Sequence, residues 1–203
     1  MEPLEIAPGL YRWEAGHPEW KPAEDWPQLV GCLLYELDER AVLIDPLIPA
    51  EGREEFLGWL DGRLEGRPVS ILTTIRWHRR DRDELTRRYA DPDVDPGSRP
   101  WNEIPKGVTP CRLKGAGEIV YWLPGVASLV PGDSLLGEGA GRLRVCPGSW
   151  LEDVSVDRRG LAVLLAALLE LPVQRVLVSH GAPVLEGGRR ALARAIGEAE
   201  AGE

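Results

Sequence analysis

The sequence predicts an α+β fold in which two β-sheets pack on each other and helices cover the outside. Two observations predict it. Strand-like runs precede helix-like runs twice along the chain, once in each half. With 203 residues, 43% of them hydrophobic and 28% charged, the chain is long and apolar enough to bury a core as one domain spanning residues 1–203.

The elements follow in order. Leu10–Trp13 reads as a short strand, and residues 17–27 as a loop rich in Trp and Pro. Leu29–Leu37 and Ala41–Ile44 read as strands joined by the turn-like Asp38-Glu39-Arg40. The second stops at Asp45-Pro46, because proline cannot donate to a ladder. Ala50–Leu64 places Phe56, Leu57, Leu60 and Leu64 at helical spacing. Val69–Thr74 is β-branched and strand-like, and Arg82–Tyr89 is a short charged helix. Residues 91–110 hold five of the eighteen prolines and no period, which predicts a long loop. Glu118–Trp122, Ala127–Val130 and Leu143–Val145 read as strands, Arg158–Leu169 as an apolar helix, Gln174–Ser179 as a strand and Arg189–Ala199 as a surface helix.

Composition excludes several function classes. A net charge of −9 argues against nucleic acid as the partner, since phosphate binding requires a basic face. The longest apolar run, Leu161–Leu169, is too short to span a bilayer, and the N-terminus lacks the pattern of a signal peptide, so a cytoplasmic protein without a membrane partner is expected. Cys32, Cys111 and Cys146 are odd in number and contain no CxxC pair, which predicts reduced thiols. Gly115-Ala116-Gly117 precedes a strand and does not open a helix, so it is not a phosphate cradle; no GxSxG, P-loop or HExxH motif is present. The eight Trp leave room for an oligomeric interface.

Three segments carry the chemistry. Arg76-Trp77-His78-Arg79-Arg80-Asp81 follows the strand-like Val69–Thr74, Gly132-Asp133 follows another strand, and Ser179-His180-Gly181 follows the last. In that order they resemble the metallo-β-lactamase-fold superfamily, and the resemblance covers most of the chain. It implies an αββα four-layer sandwich, two mixed sheets packed face to face with outer helices. It also implies roles. Asp45 braces the metal loop, Asp133 stands at the metal-bridging Asp, and His180 at the last His. The superfamily's HxHxDH is altered here: Arg76 stands at the first His, His78 at the second, Arg80 at the Asp and Asp81 at the third His. Ala116 stands where the superfamily places its middle His.

Arg cannot ligate a metal, and with three His in the chain a five-imidazole site is impossible. His78, Asp81, Asp133 and His180 remain as candidate ligands, a set suited to one Zn, Fe or Mn ion. The alternative is a pocket that holds no metal, where Arg76 and Arg80 pair Asp81 and Asp133. Two functions stay open. One is a hydrolase with one metal acting on a small anionic ester or thioester, with Asp81 and Asp133 at the ion and Arg76 or Arg80 receiving the anionic group. The other is a non-catalytic relative that binds a small anionic ligand or a protein partner. His17 and Trp77 are candidate pocket residues beside either site.

Overall fold

The computed structural model describes residues 3–89 and 104–202, so most of the 91–110 loop read from the sequence lies outside the described residues. The chain divides into two compact units, Met1–Thr73 with Trp77–Gly107 and Thr74–Arg76 with Val108–Glu203.

The first unit is built on a five-stranded sheet. In chain order it has β1 (Leu4–Ala7), β2 (Leu10–Gly16), β3 (Leu29–Glu36), β4 (Ala41–Ile44), helix α1 (Arg53–Leu64), β5 (Val69–Leu72) and helix α2 (Arg82–Tyr89). The strands lie side by side in sequence order. The first four run antiparallel, with Leu10 opposite Tyr35 and Leu33 opposite Ile44. After α1 the chain returns as β5, parallel to β4, with Ile44 opposite Leu72. A parallel neighbour requires a crossover, and α1 is that crossover. All of β4 and nearly all of β3 are buried, as their unbroken apolar sequences require. The core joins Trp13, Leu34, Leu43 and Ile71 of the sheet to Phe56, Leu57, Leu60 and Leu64 of α1. Fully buried leucines such as Leu34, Leu43 and Leu60 contribute roughly 1.5–3 kcal/mol each relative to exposure.

The second unit contains β6 (Thr109–Leu113), β7 (Glu118–Leu123), β8 (Ser128–Val130), β9 (Leu135–Gly139), β10 (Arg142–Val145), helix α3 (Arg158–Ala166), β11 (Arg175–Val176) and helix α4 (Gly188–Ala201). One sheet has the order β11-β8-β7-β6, and β9 pairs β10 in a hairpin. Strands β6, β7 and β8 are antiparallel, while β11 joins β8 in parallel. Asp157 caps α3 by accepting from Gly160 N at 2.7 Å. The core gathers Leu129, Leu135 and Leu143 from strands and Leu161, Leu165, Leu192 and Ile196 from α3 and α4. Ile75 bridges Glu118, and Ile119 N donates to Thr74 O at 2.8 Å, so Thr74 and Ile75 pair with the start of β7.

The structure is therefore α+β, with two mixed sheets and four helices among the described residues. It differs from the sequence expectation locally. Strands β1, β6 and β9 form where none was read, and β6 begins inside the stretch read as loop. β1 and β6 are held by pairing with a neighbour, not by their own apolar pattern. Only Arg175–Val176 of the expected Gln174–Ser179 strand is laddered to β8, although Leu177 N still donates to Leu129 O. The helix expected over Arg158–Leu169 tightens to a 3₁₀ turn at Ala167–Glu170.

Each unit thus carries a parallel strand pair, β4 with β5 and β8 with β11. In open α/β arrangements, the carboxyl ends of such strands are where side chains for chemistry collect. Asp45 and His78 follow β4 and β5, and Asp133 and His180 follow β8 and β11.

Candidate metal centre

In the first unit the ladder runs one residue past β4. Asp45 N donates to Leu72 O at 3.0 Å, and the chain then turns through a left-handed backbone at Asp45, φ 49°. Asp is one of the few side chains that tolerate this region. The turn aims the buried carboxylate at the buried ring of His78, Oδ2 to Nδ1 at 2.9 Å. A carboxylate at Nδ1 holds the ring proton there and puts the lone pair on Nε2, the arrangement of a metal-binding imidazole with its orienting acid.

Arg80 and Asp81 brace this loop. Arg80, also left-handed at φ 40°, donates from Nη1 to Asp45 O at 2.8 Å and to Gly31 O at 3.1 Å. Asp81 Oδ2 accepts from Ile48 N at 2.7 Å, and Asp81 N donates to Pro46 O. Both tie the His78 loop to the strap after β4. Trp13 Nε1 donates to Leu47 O at 2.8 Å and fixes the same strap from beneath. Trp77 is 45% exposed and Arg79 pairs with Asp83 on the surface. His17 lies in its own loop, with Nδ1 accepting from Glu19 N and the ring edge-on to Trp26 at 5.3 Å.

In the second unit Asp133 Oδ1 stands 3.3 Å from His180 Nε2, both residues buried. Their supports differ from those in the first unit. The segment Gly132-Asp133-Ser134 wraps the buried carboxylate of Glu118. Gly132 N donates to Oε1 at 2.9 Å; Asp133 N and Ser134 N donate to Oε2 at 3.0 and 2.8 Å; Ser134 Oγ donates to Oε1 at 2.5 Å. Successive N–H groups pointing one way form an anion nest, and here the chain supplies its own anion. Burial pushes the Glu118 carboxyl up to about 7; the Ser134 hydroxyl opposes that push and the Asp133 carboxylate adds to it. Gly132 is required at its place, since a Cβ there lies 2.8 Å from Thr74 Oγ1.

His180 is held through the backbone. Gly137 N donates to His180 O at 2.9 Å. The contact is so close that a Cβ on Gly137 lies 2.0 Å from Ala182 O, and one on Gly181 lies 2.1 Å from Gly137 O. Gly181 is left-handed, φ 83°. The Trp150 ring meets the His180 ring edge-on at 5.7 Å.

Neither a family model nor a curated protein sequence matches the chain. Solved structures do. A metallo-β-lactamase from Pontibacter korlensis superposes with TM-score 0.61 at 19% identity over 98% of each chain. One from Erythrobacter litoralis, in its mono-zinc form, gives TM-score 0.61 at 15% identity over 98% of this chain and 96% of that one. A metallo-β-lactamase family protein from Thermus thermophilus gives 0.55 at 15% identity, over 97% and 81%. The chain has the metallo-β-lactamase fold.

Within that fold the sequence-predicted residues divide into two local groups. Asp45 and His78 form one pair, Asp133 and His180 another, and Arg80 and Asp81 brace the first. Arg76 is exposed, and Ala116, at the expected middle-His position, is buried in the turn between β6 and β7. Sequence reasoning missed Glu118, Gly137 and Trp150. Glu118 had one legible signal, a lone acid opening the strand Ile119-Val120-Tyr121-Trp122-Leu123.

Proposed function

We propose that this chain is a hydrolase of small anionic esters or thioesters that depends on one divalent metal ion, ligated by His78, Asp133 and His180. Each of the three offers one ligand atom. Two imidazoles with one carboxylate is a donor set that suits catalytic zinc and non-haem iron alike and leaves positions for water and substrate. The observation that carries the reading is the Asp45–His78 pair, because a buried imidazole oriented by a buried carboxylate is how metal-binding His is prepared. Asp81 is left out of the set, its Oδ2 serving as the acceptor for Ile48 N.

Held by His78, Asp133 and His180, a divalent ion would supply Lewis-acid chemistry, acidifying water and polarising a carbonyl or phosphoryl oxygen. The protein's share is positional. Asp45 keeps His78 in one tautomer, Glu118 and Gly137 hold the segments carrying Asp133 and His180, and the exposed Arg76 receives the anionic end of the substrate with Trp77 as an apolar wall.

The test is elemental analysis of protein purified without chelator and after reconstitution with Zn, Mn and Fe. One ion per chain is expected, lost in His78→Ala and in His180→Ala. Arg76→Ala is expected to raise KM for an anionic ester roughly tenfold more than for its neutral analogue, the scale of one charge-assisted contact. Equal effects on the two substrates remove Arg76 from substrate binding. Arg76 and Ala116, at two imidazole positions of the superfamily, favour a second reading, a non-catalytic scaffold for a small anionic ligand or a protein partner. No ion after reconstitution selects that reading.

A further inference from the structure

We propose that Glu118 is the positioning residue for Asp133, an internal anion around which the ligand-bearing segment is shaped. The proposal rests on the reading of Asp133 as a metal ligand. Three consecutive backbone N–H groups, of Gly132, Asp133 and Ser134, converge on one carboxylate, and the Ser134 hydroxyl completes the set at 2.5 Å. Each oxygen of Glu118 takes two donors. This pattern is specific to a carboxylate. An amide of the same size offers one oxygen and turns an NH₂ group toward at least one backbone N–H, which cannot accept from it.

The carboxylate sits at the start of β7, 3% exposed, where a charged side chain is otherwise costly to place. Gly132 admits it: a Cβ there lies 3.2 Å from the Glu118 carboxyl carbon. Ser134 O in turn accepts from Cys146 N at 3.1 Å, which anchors the far end of the segment to the end of β10. The backbone on both sides of the Asp133 Cα is therefore fixed, and its side chain leaves from a defined point. Supporting shells of this kind, when removed, cost metal sites on the order of 10–100-fold in affinity.

The experiment compares wild type, Glu118→Gln and Ser134→Ala in full-length protein, with Zn(II) titration, Co(II) absorption spectra and amide hydrogen exchange of metal-free protein. Glu118→Gln is expected to bind zinc about 10–100-fold more weakly and to show an altered Co(II) d–d band even at saturation, because the Asp133 carboxylate is displaced. A role confined to stability lowers the melting temperature and leaves the saturated spectrum unchanged, and that result overturns the proposal. Ser134→Ala keeps the three backbone donors, so a folded protein with a smaller loss, roughly two- to tenfold, is expected; if Glu118→Gln does not fold, unchanged affinity and spectrum in Ser134→Ala overturn the proposal instead. In metal-free protein, exchange protection at residues 132–134 is expected to collapse in Glu118→Gln while β2–β3 amides keep theirs. Wild type that binds no ion sinks the ligand reading alone; protection at 132–134 that survives Glu118→Gln sinks the positioning claim alone.

Discussion

The two units present the same pair of side chains at equivalent places and secure them by opposite means. In the first, Asp45 follows β4 and meets His78 beyond the parallel neighbour β5; in the second, Asp133 follows β8 and stands by His180 beyond the parallel neighbour β11. The first pair is fixed by side chains: Asp45 holds the ring, and Arg80 and Asp81 reach from the loop to the strap. The second is fixed by backbone: a nest closes on Glu118, and Gly137 lies against Ala182 with no space for a methyl group. One topology thus supports an Asp–His pair either with long polar side chains, which leave the backbone room, or with glycine contacts that leave none. The second solution tolerates substitution less.

The largest expected effect lies at that glycine contact. Gly137→Ala places a Cβ 2.0 Å from Ala182 O, a separation only a backbone shift relieves, so a loss above about 4 kcal/mol in urea unfolding is expected. The contrast in the first unit is Gly58, in α1 with open space around its Cα. Gly58→Ala is expected to add about 0.5–1 kcal/mol through helix propensity. A small effect of Gly137→Ala would erase the distinction between the units.

Next in size is the difference between the two aspartates in metal-free protein. Asp45→Asn breaks a buried carboxylate–imidazole contact and is expected to cost about 1–3 kcal/mol. Asp133→Asn removes a negative charge that opposes ionisation of Glu118, so a cost near zero is expected by the same measurement. Equal costs would mean that the second pair is a stabilising contact like the first.

The smallest effect is chemical. Each unit buries one thiol: burial pushes Cys32 up to about 11 and Cys146 up to about 12, while half-buried Cys111 is raised less. A raised thiol pKa keeps the unreactive protonated form as pH rises, so at pH 8 the thiolate fraction of the first two is about one in a thousand or less. Iodoacetamide at pH 8, followed by peptide mass analysis, is expected to modify Cys111 first and Cys32 and Cys146 only after unfolding. Early labelling at Cys32 or at Cys146 would identify the unit that opens more readily.

The Asp and His positions are more legible in the sequence than their supports. Asp45, His78, Asp133 and His180 each follow an apolar run, a pattern local enough to read. Glu118 and Gly137 act on segments far along the chain, at Gly132–Ser134 and at Ala182, and no local pattern announces such a meeting. Arg80 and Asp81 read from the sequence as ion-pair or ligand residues, the roles their side-chain types suggest; the structure also engages them with backbone groups, which side-chain type does not foretell. The strands missed have physical reasons. β9 carries Gly137 and Gly139 in five residues and reads as a turn, and β6 holds Pro110, which a ladder tolerates only where no N–H is needed.

Residues Thr74–Arg76 belong with the second unit, Thr74 and Ile75 pairing with β7, although the chain on both sides of them belongs to the first unit. During synthesis they are added to the chain before Glu118 and Ile119 exist. Until then the Thr74 carbonyl has no Ile119 N–H to receive. Vectorial folding therefore cannot finish the first stretch of chain and then begin the next. The nascent protein must hold three residues in reserve while it makes the strand that claims them.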